Sequence, residues 1–443
     1  MDRLREHLRS SLWPVPVAML LAAFVLLQCT RAVDAQLGAI DPRRMWWLHS
    51  GNGDDARNLL STLATSIITI ASLVFSITIV ALSLAANQFG SRLIRAYMRD
   101  VRTKLSLGFF LLTVVFCLLG LRLVSQDTPP AEVPHVTVTT ALVLAVLCVL
   151  VLVFFLHVVA RLMIADEVIR RVADELDQAI AALPRVNGDG DRRPPDAELL
   201  PADFDDRSRV FRSEEEGYVQ EIRYEDLADF AAGRQLVLRV DVAAGDYMCR
   251  HGWIGRVYPD GCGDELVQTV RQAVAIGPER TPVQDLEYPV RHLVDIALRA
   301  LSPGINEANT ALVVIDRVRG ALARLLESEL PSGVFRDAAG TCRVLGHRHT
   351  HRQIFAAALH PIRDAAAPQP LVLLSMLQAL AKLTEHVRDP RHADLIMEEA
   401  QLVVETAGLH PMLQSEGRAI ARAHELVDRR ARAAQARAAK AVE

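Results

Sequence analysis

The six cysteines of this chain form no C-x-x-C pair. That argues against a cysteine zinc site and against a disulfide framework. Cys29, Cys117 and Cys148 stand in apolar stretches, and Cys249, Cys262 and Cys342 lie in more polar sequence. They read as small apolar fillers in a reducing compartment. The chain has no G-x-x-x-x-G-K-[ST] loop, no G-x-G-x-x-G and no H-E-x-x-H, and no serine has a nucleophile-elbow context. Nothing here argues for an enzyme, a metal or a cofactor. A basic block of the kind nucleic-acid binders show is missing too. Net charge is −4, from 49 Lys and Arg against 53 Asp and Glu, so no nucleic-acid partner is expected.

What the chain has instead is long uncharged runs. Hydrophobic residues make up 51% of its 443 positions and concentrate in the first third. A bilayer core of about 30 Å takes about 20 helical residues. Four stretches qualify: residues 13–30, 59–86, 105–124 and 136–160. The first is short and begins at Trp13, Pro14 and Pro16. Residues 1–165 therefore read as an α-helical membrane domain in contact with the lipid bilayer.

Basic flanks set the expected orientation. Arg3, Arg5 and Arg9 precede the first span. Arg92, Arg95, Arg99, Arg102 and Lys104 follow the second, and Arg161, Arg170 and Arg171 follow the fourth. The 125–135 loop has no Lys or Arg, and the four arginines of the 31–58 loop are diluted by four aspartates. The simplest topology is a multi-pass protein of the bacterial inner membrane with both termini cytoplasmic. A rival reading makes residues 1–35 a signal peptide cleaved near Val33-Asp34-Ala35, leaving three spans.

The remainder reads as soluble. Residues 166–210 are a juxtamembrane helix and a linker rich in Pro, Gly and charge. Residues 211–280 form a small α+β cytoplasmic module. In it GYVQEI is a strand, YEDLADFAAG a helix ending at Gly233, and LVLRVDV a strand. Val242 to Gly252 has the turn glycines of a compact β-hairpin unit, and a helix near 263–273 and a strand near 273–276 close the module. Residues 281–415 are mainly helical: Pro289 to Leu301, a helix capped by Asn306 and running to about 328, then, after a short strand, 342–358, 368–388 and 391–407. The tail 416–443 is Ala- and Arg-rich, a solvated helix or a coiled-coil arm.

Two stretches carry a resemblance. FSITIVALSLAANQFGSRLIRAYMRDVRTKLSLG (75–108) is similar to the core signature of a large family of predicted bacterial membrane proteins, described only as a domain of unknown function. RTPVQDLEYPVRHLVDIALRALSPGINEANTA (280–311) resembles the same family more specifically. There Glu307 and Ala308 replace the usual Asp-Pro after Ser-Pro-Gly-Ile-Asn, Tyr288-Pro289 replace Phe-Gly, and His292 stands for Gln. The resemblance implies an integral inner-membrane protein with a cytoplasmic C-terminal region. It brings no activity.

Within the second span Thr62, Thr69, Ser76 and Ser83 are seven apart, with Thr65 and Ser72 between them and Asn87 beyond. These positions share one side of a helix. Such a row lines a pore or solute path, or it packs a neighbouring helix closely. Asp54 and Asp55 precede it, as helix caps or as an acidic outer mouth. Arg92, Arg95 and Arg99 follow it, as topology determinants or as an inner basic vestibule. In the soluble part Arg291, Asp295 and Arg299 recur at i, i+4 and i+8, with Arg280 and Asp285 nearby. They form a structural charge network or a reader of carboxylate or phosphate. Ser302-Pro303-Gly304 with Asn306 exposes amide donors at a helix start. His347, His349 and His351 alternate as if on one face of a strand, without a carboxylate beside them. Two functions emerge: a self-associating channel or transporter for an ion or small solute, with the second span on the pathway and a cytoplasmic regulatory domain; or a membrane-anchored scaffold or regulator without transport.

Overall fold

In the computed structural model the described residues are 13–37, 48, 51–89, 100–126, 128–162, 164–181, 183, 192–260, 264–282 and 284–442. The chain divides into two compact units, Met1–Ala165 and Asp166–Glu443. Among the described residues the first holds four helices long and apolar enough to cross a membrane. They are α1 (Pro14–Leu37), α2 (Gly53–Phe89), α3 (Val101–Leu121) and α4 (His135–Leu162).

The third helix is the axis of this bundle. Of its most apolar window 56% is buried, against 17–22% for the other three. Phe110 and Phe116 are wholly enclosed. Two glycines let neighbours approach: Gly108 sits under Met19 of α1, and Gly120 faces Leu60 of α2 and Thr137 of α4. Small residues at such contacts are how membrane helices pack where water supplies no driving force. One buried hydroxyl is satisfied on its own helix and by a neighbour. Thr113 donates to the Phe109 carbonyl at 2.9 Å and receives the Cys148 thiol at 3.3 Å.

The first helix is bonded into the bundle rather than appended to it. Ala23 and Leu27 belong to its core. The Asp34 carboxylate accepts the backbone N–H of Val136 at 2.8 Å and of Thr137 at 3.1 Å, plus the Thr137 hydroxyl at 2.8 Å. That residue, at the expected cleavage site of the signal-peptide reading, thus caps the start of α4 from another helix.

The second unit opens with an amphipathic helix, α5 (Ala165–Ala181). Two single-turn helices lead into β1 (Arg209–Arg212) and β2 (Gly217–Ile222). Then come α6 (Tyr224–Gly233), β3 (Val237–Val240), β4 (Tyr247–Met248), β5 (Trp253–Tyr258), α7 (Asp264–Ala273) and β6 (Val274–Gly277). Helices α8 (Glu287–Ala300) and α9 (Ala308–Leu326) come next. Strands β7 (Val334–Arg336) and β8 (Cys342–Leu345) precede α10 (His351–Ala365), α11 (Pro370–Leu383), α12 (Pro390–Ala407) and α13 (Gln414–Val442). One sheet has the order β1-β5-β3-β8-β7 and the other β4-β2-β6.

Several details depart from the sequence reading. The Val242–Gly252 run is not a self-paired hairpin: its short strand β4 pairs with β2, while β3 and β5 belong to the other sheet. The run therefore carries the chain from one sheet to the other. Residues 342–345 are a fully buried strand, not the start of a helix, and β8 runs parallel to β3 with Leu238 opposite Val344. The five-stranded sheet thus draws on residues beyond 280. Helix α10 starts only at a capping box in which Thr350 and Gln353 bond reciprocally. The Ala/Arg-rich tail is not an arm: Ile420, Val427, Ala431, Ala434 and Ala438 of α13 are buried. Asn306 caps nothing, because Glu307 holds the N-cap position and Asn306 adopts φ +49°.

Replacing Asp34 by Ala removes a carboxylate that accepts three hydrogen bonds in a part-buried site. It is expected to destabilise the detergent-solubilised protein by about 2–4 kcal/mol, with Asp34→Asn losing less. Thermal unfolding of the full chain measures both.

Candidate functional site

The second helix has two distinct sides. Ala56, Leu60, Ala64, Ile67, Ala71, Val74 and Thr78 are buried against the bundle. Thr62, Thr65, Thr69, Ser72, Ser76 and Ser83 are exposed. Both rows run at helical spacing, half a turn apart. Packing within the chain therefore uses the apolar row, and it does not account for the hydroxyls.

Each of five hydroxyls in the row is satisfied on its own helix. Thr62, Thr65, Thr69, Ser72 and Ser76 donate to the carbonyls of Asn58, Ser61, Thr65, Ile68 and Ser72 at 2.8–2.9 Å. With the hydrogens turned inward, the outward side offers oxygen lone pairs. Exposed Ile68, Leu73, Phe75, Ile79, Val80 and Leu84 border the row. At its start Asp55 and Asn52 cap each other, with contacts of 2.8 and 3.1 Å, while Asp54 is exposed on the hydroxyl side. Asn87 belongs to the last turns of α2. Arg92, Arg95 and Arg99 lie outside the described residues.

In the second unit the start of the 280–311 stretch, which carried the family resemblance, meets the Gly245 turn. Gly245 adopts φ +97°, and a Cβ there would sit 2.2 Å from Asp285 Oδ2 and 2.6 Å from an Arg280 nitrogen. Asp285 is 3% exposed and accepts Arg280 Nε at 2.8 Å and the Tyr288 N–H at 3.1 Å. Burial pushes its carboxyl up, against the pull of Arg280. Gln284, beside it, bonds both backbone groups of Ile222, at 2.9 and 3.0 Å, and so acts as a surrogate strand residue. The 280–285 segment is thereby fastened to β2, and Gly245 is required by close approach as well as by φ.

The other expected groups lie on α8 and in the turn that follows it. Arg291 bonds Glu287 at 2.7 Å, and Asp295 and Arg299 are half-buried on the same helix. The amides after Ser302-Pro303-Gly304 are used internally: Ile305 and Asn306 donate to the Ser302 carbonyl and Glu307 to that of Ala300. Ser302 donates to the Arg299 carbonyl at 2.6 Å, and Asn306 Oδ1 accepts from Gln369 at 3.1 Å. The turn closes on itself instead of presenting donors.

The histidine triplet is divided. His347 and His349 lie edge to face at 5.1 Å beyond the end of β8, whereas His351 starts α10 and packs against His392 at 4.2 Å. His349 is held neutral, pushed down to about 4 by burial and by His347. Around them Tyr224 stacks on Phe335 at 4.7 Å, and burial pushes its phenol up to about 12. Arg193 donates to the Ser332 and Gly346 carbonyls at 3.0 and 2.8 Å. Sequence reading missed Arg193, Tyr224 and Gln284, because their partners lie roughly 60–150 residues away. Gly245 was visible as a turn but not as a contact.

Gly245→Ala is expected to cost more than about 2 kcal/mol, from the φ and the clash together, and Gly245→Ser no less; chemical denaturation of the full chain reads both. A second expectation concerns acid. Because the folded-state pKa of His349 lies below the unfolded value, the unfolded chain binds the extra proton between about 6.5 and 4. Stability is full above that window and falls as pH drops through it. His349→Asn should flatten this part of the stability–pH curve.

Residues 9–382 match the family described as predicted membrane protein, DUF2254. An uncharacterized protein of Mycobacterium tuberculosis (strain CDC 1551 / Oshkosh) is 30% identical over 441 residues, covering 96% of this chain and 82% of its own length. An uncharacterized protein of Mycobacterium bovis (strain ATCC BAA-935 / AF2122/97) is 29% identical with the same coverage. No solved structure matches. With four apolar helices in contact with lipid and a family match over most of its length, the chain belongs to the DUF2254 family of predicted membrane proteins.

Proposed function

We propose that the protein is a homo-oligomeric pore or transporter of the bacterial inner membrane. In this reading the second helices of neighbouring subunits face a shared pathway, and the soluble unit is a cytoplasmic regulatory domain. One observation carries it: the hydroxyl row of α2 is exposed, on the side away from the bundle core. A helix side meant only for lipid gains nothing from five turns of hydroxyls, since each offers lone pairs that hydrocarbon leaves unused. Facing a water-filled axis, the same oxygens replace part of a solute's hydration without holding it tightly. The apolar residues on either flank suit contacts between subunits. Arginine-rich flanks after the second and fourth spans support cytoplasmic termini.

The reading makes two linked demands. Single cysteines at Ser72 and Ser76 should react with aqueous thiol reagents, and those at Ile67 and Val74 should not. Reconstituted protein should pass an ion or small solute, and Thr69→Leu with Ser76→Leu should cut flux at least about tenfold, as expected when polar groups are lost from a pore lining. Unreactive cysteines with no flux would leave a membrane-anchored scaffold. Intact flux in the double leucine variant would remove α2 from the pathway.

A further inference from the structure

Helix α13 carries a charged surface that the packing of the second unit leaves outside. Its buried side is Ile420, Val427, Ala431, Ala434 and Ala438. On the opposite side Arg418, Arg422, Arg429, Arg432 and Lys440 are all exposed. The intervening exposed positions are mostly alanine, so no bulky side chain screens the row. Glu425 and Asp428 fall within its first half in sequence, and from Arg429 to Val442 there is no acidic residue. Arg430 points to the flank and pairs with Glu385 at 3.4 Å, so an arginine here takes a carboxylate that is within reach.

The helix dipole favours cations only in the last turn, which leaves Arg418 to Arg432 without that explanation. Nor does the face suit nucleic acid bases. It has no aromatic ring on which to stack one, and Gln435 is engaged with Asp394 at 2.8 Å. It does suit a flat surface of phosphates. Rows of four to eight basic residues on a helix are drawn to anionic headgroups. A chain held by four membrane helices meets such headgroups at high effective concentration.

We propose that the exposed arginine face of α13 binds anionic lipid headgroups. The test uses the full chain in phosphatidylcholine nanodiscs immobilised through the scaffold protein, with lipid vesicles flowed over them. Vesicles containing phosphatidylglycerol are expected to be held at low salt and released at high salt, and pure phosphatidylcholine vesicles not to be held. Replacing Arg422, Arg429 and Arg432 by Gln should weaken capture at least about tenfold. Replacing the same three by Lys should preserve it, which separates charge from folding, and Arg430→Gln should leave it unchanged. Failure to hold the anionic vesicles, or equal capture by the triple Gln variant, would overturn the proposal. So would tighter binding of a single-stranded oligonucleotide than of vesicles.

Discussion

A hydroxyl inside a bilayer must find an acceptor, and in this chain it nearly always finds one on its own helix. Thr62, Thr65, Thr69, Ser72, Ser76, Thr78, Ser106 and Thr113 each donate to the carbonyl four residues back. Leaving such a donor unpaired in hydrocarbon would cost several kcal/mol. Because the bond is local, the bundle is free to assemble on shape alone. Glycines under Met19 and Leu60 and enclosed phenylalanines along α3 set the contacts. Asp34 is the main exception, a carboxylate that ties one helix to the start of another.

The same local bonding gives α2 its two-sided character. The apolar side meets the bundle, and the polar side keeps its oxygens facing outward. In the second unit the logic is reversed, because there the decisive polar contacts are distant in sequence. Arg280 and Asp285 form a buried pair against the backbone of Gly245, and Gln284 completes the edge groups of Ile222. A buried pair of this kind adds less to stability than to uniqueness of packing. Here it fixes how the 280–285 segment meets the crossing between the two sheets.

Much of this was legible in advance. The four apolar helices are set by length and composition, and GYVQEI and YEDLADFAAG have the strand and helix bounds that spacing gives them. The reading failed where distant packing overrode local pattern. Cys342–Leu345 looks continuous with the helix on its C-terminal side, yet it is a central strand, because β3 supplies its partner from far upstream. The alanines of α13 read as solvated, but alanine is small enough to seat a helix closely against α11 and α12. Which side of α2 packs was undetermined, since apolar and hydroxyl rows have the same seven-residue spacing. The histidine triplet alternates, but the strand ends before it begins.

Strand order also bears on synthesis. Leu238 of β3 lies opposite Val344 of β8, and β8 separates β3 from β7. At a ribosome adding about 5–20 residues per second, roughly 5–20 s pass between making the two strands. Throughout that interval β3 shows an open edge of Val and Leu residues, the kind of edge that recruits foreign strands. The membrane helices come first and their hydrogen bonds are local, so they have no such wait. The growing chain is thus moored at a bilayer while its soluble sheet is incomplete, and the exposed edge is kept from free diffusion during its most vulnerable seconds.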